Sequence, residues 1–263
     1  MKPPVLTIAG SDCSGGAGIQ ADLKALSANG AFAMSVLTSI TAQNTCGVSS
    51  VFHLPTSIIE AQLDAIFSDI PVKTVKTGML ATTEIITTVS QKLASQQLDQ
   101  LVVDPVMVAK GGHVLLEEDA ISTLKTQLCP QAFLITPNIY EAQVLTGSTI
   151  NTIADARAAA KIIHQLGCRH VLIKGGHLQE QPGTDLLYDG RFFHMYKGDY
   201  IQTQHTHGTG CTLASAIAAH LAKGTPIAEA IKAGKAYTTE AIRHSFMLGK
   251  GHGPTDHFYF LQA

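Results

Sequence analysis

Val5-Leu6-Thr7-Ile8-Ala9-Gly10-Ser11-Asp12-Cys13-Ser14-Gly15-Gly16-Ala17-Gly18-Ile19-Gln20-Ala21-Asp22-Leu23-Lys24-Ala25-Leu26 decides the architecture of this chain. Val5 to Ala9 is a short apolar run that reads as a strand, and Ile19, Leu23 and Leu26 then recur on one face of a helix. That is one β-α step, and it repeats. Thr74-Val75-Lys76-Thr77-Gly78, Leu101-Val102-Val103-Asp104, Phe133-Leu134-Ile135-Thr136 and Val171-Leu172-Ile173-Lys174 are strand-like runs, each ending in Gly, Pro or a polar residue. Helical patterns separate them over 82–95 (Ile85, Val89, Leu93), 117–128 (Ile121, Leu124, Leu128) and 152–166 (Ile162, Ile163, Leu166). Strands alternating with helices predict an α/β fold of three layers, αβα, around a mostly parallel central sheet. Asp189-Gly190, between Leu186-Leu187-Tyr188 and Phe192-Phe193-His194, predicts a two-residue hairpin turn and so a late antiparallel addition. Two helices are expected after it, at about 210–223 and 226–245. With no linker composition, repeat or low-complexity tract, residues 1–263 read as a single domain.

Composition narrows the partners. The 263 residues are 45% hydrophobic and 14% charged, ample for a sizeable core. Lys+Arg 18 against Asp+Glu 20 gives a net charge of -2 with no basic run, which argues against nucleic acid as the partner and for a small molecule. Val5–Ala9 is too short for the core of a signal peptide, and no stretch approaches the ~18 apolar residues of a membrane span. The expectation is a cytoplasmic protein that does not engage the membrane. Cys13, Cys46, Cys129, Cys168 and Cys211 are odd in number and contain no C-x-x-C pair, so neither a disulfide framework nor a structural zinc site is indicated.

Ligands of open α/β sheets bind outside the carboxyl ends of the strands. Gly10-Ser11-Asp12, Gly78-Met79, Asp104-Pro105-Val106-Met107, Thr136-Pro137-Asn138 and Lys174-Gly175-Gly176 all follow predicted strands and therefore share one rim. Thr206-His207-Gly208-Thr209-Gly210-Cys211-Thr212-Leu213 is expected to face it. This Gly-punctuated turn runs into a helix, whose first N–H groups lack intrahelical partners and attract an anion such as phosphate. Gly208 and Gly210 allow close approach, and Cys211 places a thiol beside the anion; the plainer alternative is a helix entrance with a core cysteine. Asp104, Glu141 and Lys174 would suit Mg²⁺ and a polyphosphate, with Asn138 three residues from Glu141. Singly, Asn138 also reads as a helix cap, Glu141 as a first-turn acid and Asp104 as a turn former before Pro105.

Two nucleotide motifs fail a closer look. Gly16-Ala17-Gly18-Ile19-Gln20-Ala21 matches the dinucleotide fingerprint, but no acidic residue lies between Asp22 and Glu60 to hold a ribose. Gly234-Lys235 and Gly249-Lys250 are followed by Ala and Gly, not the Ser or Thr of a P-loop. No G-x-S-x-G elbow occurs. The twelve histidines, among them His205, His207, His252 and His257, show no metal-hydrolase spacing, and most read as solvated or satisfied in the core.

Seven motifs in order resemble the hydroxymethylpyrimidine / phosphomethylpyrimidine kinases of thiamine biosynthesis, members of the ribokinase-like superfamily. They are Ala9-Gly10-Ser11-Asp12-x-Ser14-Gly15-Gly16-Ala17-Gly18-Ile19-Gln20-Ala21-Asp22, Ala42-Gln43-Asn44-Thr45, Lys76-x-Gly78-Met79, Asp104-Pro105-Val106-Met107, Thr136-Pro137-Asn138, Lys174-Gly175-Gly176-His177 and His207-Gly208-Thr209-Gly210-Cys211-Thr212. The similarity runs from about residue 5 to Phe258, with Cys13 and Thr41 as minor departures. It implies a ribokinase-like fold and two phosphoryl transfers from ATP, with Mg²⁺: first to the alcohol of 4-amino-5-hydroxymethyl-2-methylpyrimidine, then to the resulting monophosphate. By motif, Gly208, Thr209 and Gly210 would form the anion hole, and Cys211, as a thiol near neutral pKa, would take the hydroxyl proton. Asn138, Lys174 and Thr209 would serve ATP, and Asp104 and Glu141 the metal. Gln43 would read the aminopyrimidine, while Ala17, Met79, Val106 and Thr41 would shape the ring pocket. A homodimer is the family expectation. The rivals are a pyridoxal/pyridoxine kinase and, from another class, a pyrimidine-binding regulator without catalysis.

Overall fold

Alternate residues along each central strand face different helical layers, which is why these strands are apolar throughout. The computed structural model describes residues 2–109, 111–176 and 181–261. Among them, nine strands form one sheet: β1 (Pro4–Asp12), β2 (Phe32–Asn44), β3 (Gly47–His53), β4 (Thr74–Thr77), β5 (Gln100–Val103), β6 (Leu134–Ile135), β7 (His170–Ile173), β8 (Thr184–Tyr188) and β9 (Phe193–Lys197). Their spatial order is β3-β2-β1-β4-β5-β6-β7-β8-β9. The six from β2 to β7 are mutually parallel, while β3, β8 and β9 pair antiparallel.

Leu6, Ile8, Val75, Leu101, Val103 and Ile173 point into one core, beneath α2 (Thr56–Phe67), α3 (Thr83–Ala94), α4 (Glu118–Thr123), α5 (Ile139–Thr146) and α6 (Ile153–Gln165). Val5, Val102, Leu134 and Leu172 point the other way, under α7 (Thr209–Ala222) and α8 (Ile227–Arg243), with α1 (Gly18–Ala28) packed beside α7. Three layers result, and the fold is ribokinase-like. Local chemistry starts several helices: Thr82 caps α3 through Ile85 N–H, and Thr152 with Asp155 forms a capping box on α6.

The structure corrects two expectations and adds elements the periodicity did not show. Tyr188 pairs with Phe193, so the late hairpin closes through four residues, 189–192, instead of a two-residue turn; Asp189 Oδ1 accepts from both Arg191 N and Phe192 N and so holds the wider loop. The pattern at 117–128 is helical only to Thr123, then widens into a π turn (Leu124–Leu128) ahead of Pro130, which has no N–H to donate. The long β2–β3 hairpin and α2 were not apparent from periodicity.

Candidate active site

The strand order turns at β1: its chain neighbour β2 lies on one side and β4 on the other. A crevice opens outside the carboxyl ends of the strands at such a switch point. The cavity there is about 450 Å³ and reaches Asp12 beyond β1, Met79 beyond β4, Asp104 beyond β5 and Lys174 beyond β7. All the site residues singled out in the sequence line it: Ala17, Thr41, Gln43, Met79, Asp104, Val106, Asn138, Glu141, Lys174, Gly208, Thr209, Gly210 and Cys211. His177 of the Lys174 motif lies outside the described residues.

α7 enters the cavity by its N-terminus. Gly208 is its N-cap, at φ +80°, and supplies no side chain to satisfy the first turn. Thr209 N–H and Oγ1 both go to Thr206 O, at 3.3 and 2.8 Å, so Thr209 shapes the turn. Gly210 and Cys211 N–H have no backbone acceptor among the described residues, which leaves two donors at the helix mouth of the kind that attract an anion. A Cβ at Gly208 would strike the Gly16 carbonyl. Gly208→Ala is therefore expected to distort the mouth and lower kcat by at least ~100-fold in a reaction that relies on an anion held there, the scale of losing one such donor; steady-state kinetics checks it.

Across Gly210 stands a charged cluster. Lys174 Nζ is 2.8 Å from Asp104 Oδ1 and 3.8 Å from Glu141 Oε2. A Cβ on Gly210 would lie 3.3 Å from that ammonium and 3.7 Å from Asp104 Oδ2, so glycine lets helix mouth, cation and carboxylate meet. Burial opposes the charge of Asp104, but Lys174 and Lys76 outweigh it and hold the carboxyl low; burial likewise opposes the charge of Lys174, which Asp104 and Glu141 keep high. Glu141 goes the other way, raised by burial and by Asp104 beyond what Lys174 recovers. Its Oε2 accepts Asn138 N–H at 2.7 Å while Asn138 Oδ1 accepts Glu141 N–H at 2.9 Å. The plain reading of this pair as a capping box is thus realised at the cavity wall.

Cys211 departs from expectation. Part of it faces the cavity, yet burial pushes its thiol up to about 12, against the pull of Lys76 and of Gly18 N–H. It rests as a thiol and is not poised near neutrality. The helix start does not offset the loss of water, and the carboxylates of Asp22 and Asp104 add to the rise.

The ring-sized end of the cavity is built from β1, β2 and the first β-α loop. Gly10 leaves space for Met79, whose Sδ would be 2.9 Å from a Cβ there. Ala17 N–H donates to Asp12 Oδ2 at 2.8 Å, which folds the loop back over the strand end. A positive helix mouth, a Lys–carboxylate cluster and a ring-sized end lined by Ala17, Met79 and Gln43 in one crevice fit transfer of a phosphoryl group to a small cyclic acceptor. The family model described as phosphomethylpyrimidine kinase matches residues 12–256.

The chain belongs to the phosphomethylpyrimidine kinase family. It is 46% identical over 256 residues to the hydroxymethylpyrimidine/phosphomethylpyrimidine kinase of Bacillus subtilis, covering 97% of this chain and 94% of that protein. It is 53% identical over 253 residues to the thiamine biosynthesis bifunctional protein ThiED of Geobacter sulfurreducens, covering 96% of this chain but only 52% of that protein. The chain thus spans about half the length of that bifunctional relative. Among solved structures, the pyridoxal kinase of Staphylococcus aureus in complex with AMP-PCP and pyridoxal superposes with a TM-score of 0.90 at 37% identity, over 100% of this chain and 96% of that one.

The kinase also has cavity walls that sequence reasoning missed. Asp185 on β8 accepts Gly175 N–H at 3.0 Å and Lys235 Nζ at 2.7 Å, joining β7, β8 and α8 beside Lys174. Tyr200, Ile201, Thr239 and Ile242 continue this wall. An Asp directly ahead of the apolar Leu186-Leu187-Tyr188 of β8 is the local signal that could have marked it. His207, grouped above with unremarkable histidines, is buried at the cavity against Asp12. No helix among the described residues is long and apolar enough to cross a membrane.

Proposed function

We propose that this kinase transfers the γ-phosphoryl group of ATP to the alcohol of 4-amino-5-hydroxymethyl-2-methylpyrimidine and then a second one to the monophosphate, supplying the pyrimidine diphosphate of thiamine biosynthesis. The observation that carries the reading is the meeting of the capless α7 mouth, Cys211 and the Lys174–Asp104 pair around Gly210, in the same cavity as Gln43. The names of the relatives and the AMP-PCP in the Staphylococcus structure support ATP as the donor.

Phosphoryl transfer passes through a loose transition state, so the protein mainly positions and stabilises charge. Gly210 and Cys211 N–H hold the transferring oxygens, and Lys174 neutralises charge between donor and acceptor. Asp104 engages Lys174 and Thr136 through Oδ1 and turns Oδ2 toward the helix mouth, where a hard cation sharing phosphate oxygens would find it; Glu141 is the second carboxylate at hand. Mg²⁺ needs only one or two such ligands, so this set fits it, and the ion would neutralise phosphate charge there. Asn138 and Thr209 border the phosphates. Ala17, Met79 and Val106 enclose the ring, and Gln43 reads its amino edge, because a carboxamide offers a donor and an acceptor to an N–C–NH₂ edge. The protein works as a cytoplasmic homodimer, which sedimentation would test.

ATP consumption measured with the aminopyrimidine alcohol, its monophosphate, pyridoxal and no acceptor tests the reading. Turnover with both pyrimidines exceeding that with pyridoxal is expected; pyridoxal turning over alone would move the enzyme to vitamin B6, and silence throughout would leave a binding protein. Gln43→Ala is expected to raise the pyrimidine KM about tenfold or more, the effect of one or two hydrogen bonds, with the ATP KM nearly unchanged. Collapse of ATP binding instead would remove Gln43 from the ring pocket.

A further inference from the structure

Gln43 is wired to a buried acid and imidazole that the transfer chemistry leaves unused. Asp12 is 2% exposed and His207 6%, and His207 Nε2 lies 2.8 Å from Asp12 Oδ2. Asp12 is ionised: burial opposes its charge, but His207 and Ser14 hold it down at about 2. A carboxylate only accepts, so His207 Nε2 carries the hydrogen in that bond.

Gln43 Nε2 is set 3.4 Å from this same nitrogen, which places hydrogens against hydrogen. On its other side, Thr41 Oγ1 is 2.9 Å from Ser11 O and 3.2 Å from Gln43 Oε1. The single hydroxyl hydrogen goes to the shorter, Ser11, contact, which leaves lone pairs facing the carboxamide. Both neighbours ask for the same half-turn of the amide: Oε1 toward His207 N–H, and Nε2 toward Thr41 Oγ1. Oxygen and nitrogen of such a group are assigned from their hydrogen-bond network, and here the network has one solution.

The supports of this wiring are themselves fixed. Asp12 also accepts Ser14 N–H at 2.9 Å and Ala17 N–H at 2.8 Å, and Gly16 has no room for a Cβ against the His207 ring. The Gln43 backbone is held by Cys13 Sγ, which lies 3.1 Å from Gln43 O and 3.4 Å from Gln43 N. A register shift between Ala42 and Gln43 re-aims the side chain at this point of the β2–β3 ladder.

A free carboxamide reads either of two opposite edges by flipping; a fixed one reads one. The aminopyrimidine offers a ring-nitrogen acceptor beside an amino donor, whereas its 4-oxo counterpart offers N–H beside a carbonyl oxygen, the inverse pattern. We infer that Asp12, His207 and Thr41 act as positioning residues that lock the Gln43 carboxamide in one orientation, making the site select the aminopyrimidine against its deaminated 4-oxo analogue. The inference rests on the assignment of Gln43 to the pyrimidine ring made under Proposed function.

The test is the ratio of kcat/KM for 4-amino-5-hydroxymethyl-2-methylpyrimidine to that for its 4-oxo analogue, with calorimetric binding of both in the absence of ATP as a readout independent of turnover. The native ratio is expected to be at least ~10³, because a mismatched edge leaves buried polar groups unpaired. Thr41→Val and His207→Phe are each expected to lower it at least tenfold while the ATP KM stays put, and Thr41→Ser to retain it. Thr41→Val nearly preserves volume and decides the matter by binding alone if His207→Phe does not fold. Both variants keeping the native ratio while Gln43→Ala loses it would overturn the lock and leave Gln43 in the ring pocket. Gln43→Ala keeping both affinity and ratio would instead show that Gln43 does not read the ring.

Discussion

Cys211→Ala is expected to slow phosphorylation of the alcohol by about 10²–10⁴-fold, the usual worth of a general base, and phosphorylation of the monophosphate by less than about tenfold. The asymmetry comes from the acceptors. An alcohol must lose a proton as it attacks, whereas a phosphomonoester is largely an oxyanion above its second pKa of about 6. The structure adds a sign. Because burial holds the Cys211 thiol up at about 12, its base form is scarce at neutral pH and grows with pH. The single-turnover rate of the first transfer should rise roughly tenfold per pH unit between 7 and 9, following the thiolate fraction, while the second transfer stays nearly flat. Cys211→Asp would replace that limb by a carboxylate ionised throughout, and the first transfer should then lose its rise. Equal losses in both transfers for Cys211→Ala, or a flat native profile for the alcohol, would make the thiol a packing residue.

Parts of the molecule were legible because their causes are local. Leu101-Val102-Val103 and Val171-Leu172-Ile173 announce strands covered on both faces, and Gly208-Thr209-Gly210 announces a helix mouth through backbone requirements alone. Asp104 and Lys174 follow from one topological rule applied to strand ends. β2 escaped because Ser35, Thr38, Ser39 and Thr41 interrupt its apolar pattern, and its length comes from pairing with β1 on one side and β3 on the other. The Asp12–His207 contact spans 195 residues of sequence and Asp185–Lys235 spans 50, so no local pattern announces either. Asn138 and Glu141 show why single residues resist a binary reading. Their mutual cap is what holds both side chains at the cavity wall.

Lys76→Met is expected to cost the fold about 3–5 kcal/mol, the penalty for leaving one partner of a buried ion pair uncompensated. Lys76 and Asp22 are both 0% exposed, and the ammonium lies 2.9 Å from each carboxylate oxygen. Burial alone would drive Lys76 toward the neutral amine, but the carboxylates of Asp22 and Asp104 outweigh it, so the group stays a cation. Asp22 also accepts Thr7 Oγ1 at 2.6 Å and Ser215 Oγ at 2.7 Å, and the cluster thereby ties β1, β4, α1 and α7 together beneath the anion hole. Two hydroxyls cannot neutralise the carboxylate that Lys76→Met strands among them, and urea unfolding should show the loss as a lower midpoint at unchanged slope. Adding Asp22→Asn removes the stranded charge, so the double variant should recover much of the loss, a coupling that independent sites would not show. Lys76→Met also withdraws the positive charge that opposes the upward shift of the Cys211 thiol, so in whatever fraction stays folded the alcohol transfer should slow more than the monophosphate transfer. A stable Lys76→Met variant with both transfers intact would mean that Asp22 takes up a proton and that neither fold nor thiol depends on the pair.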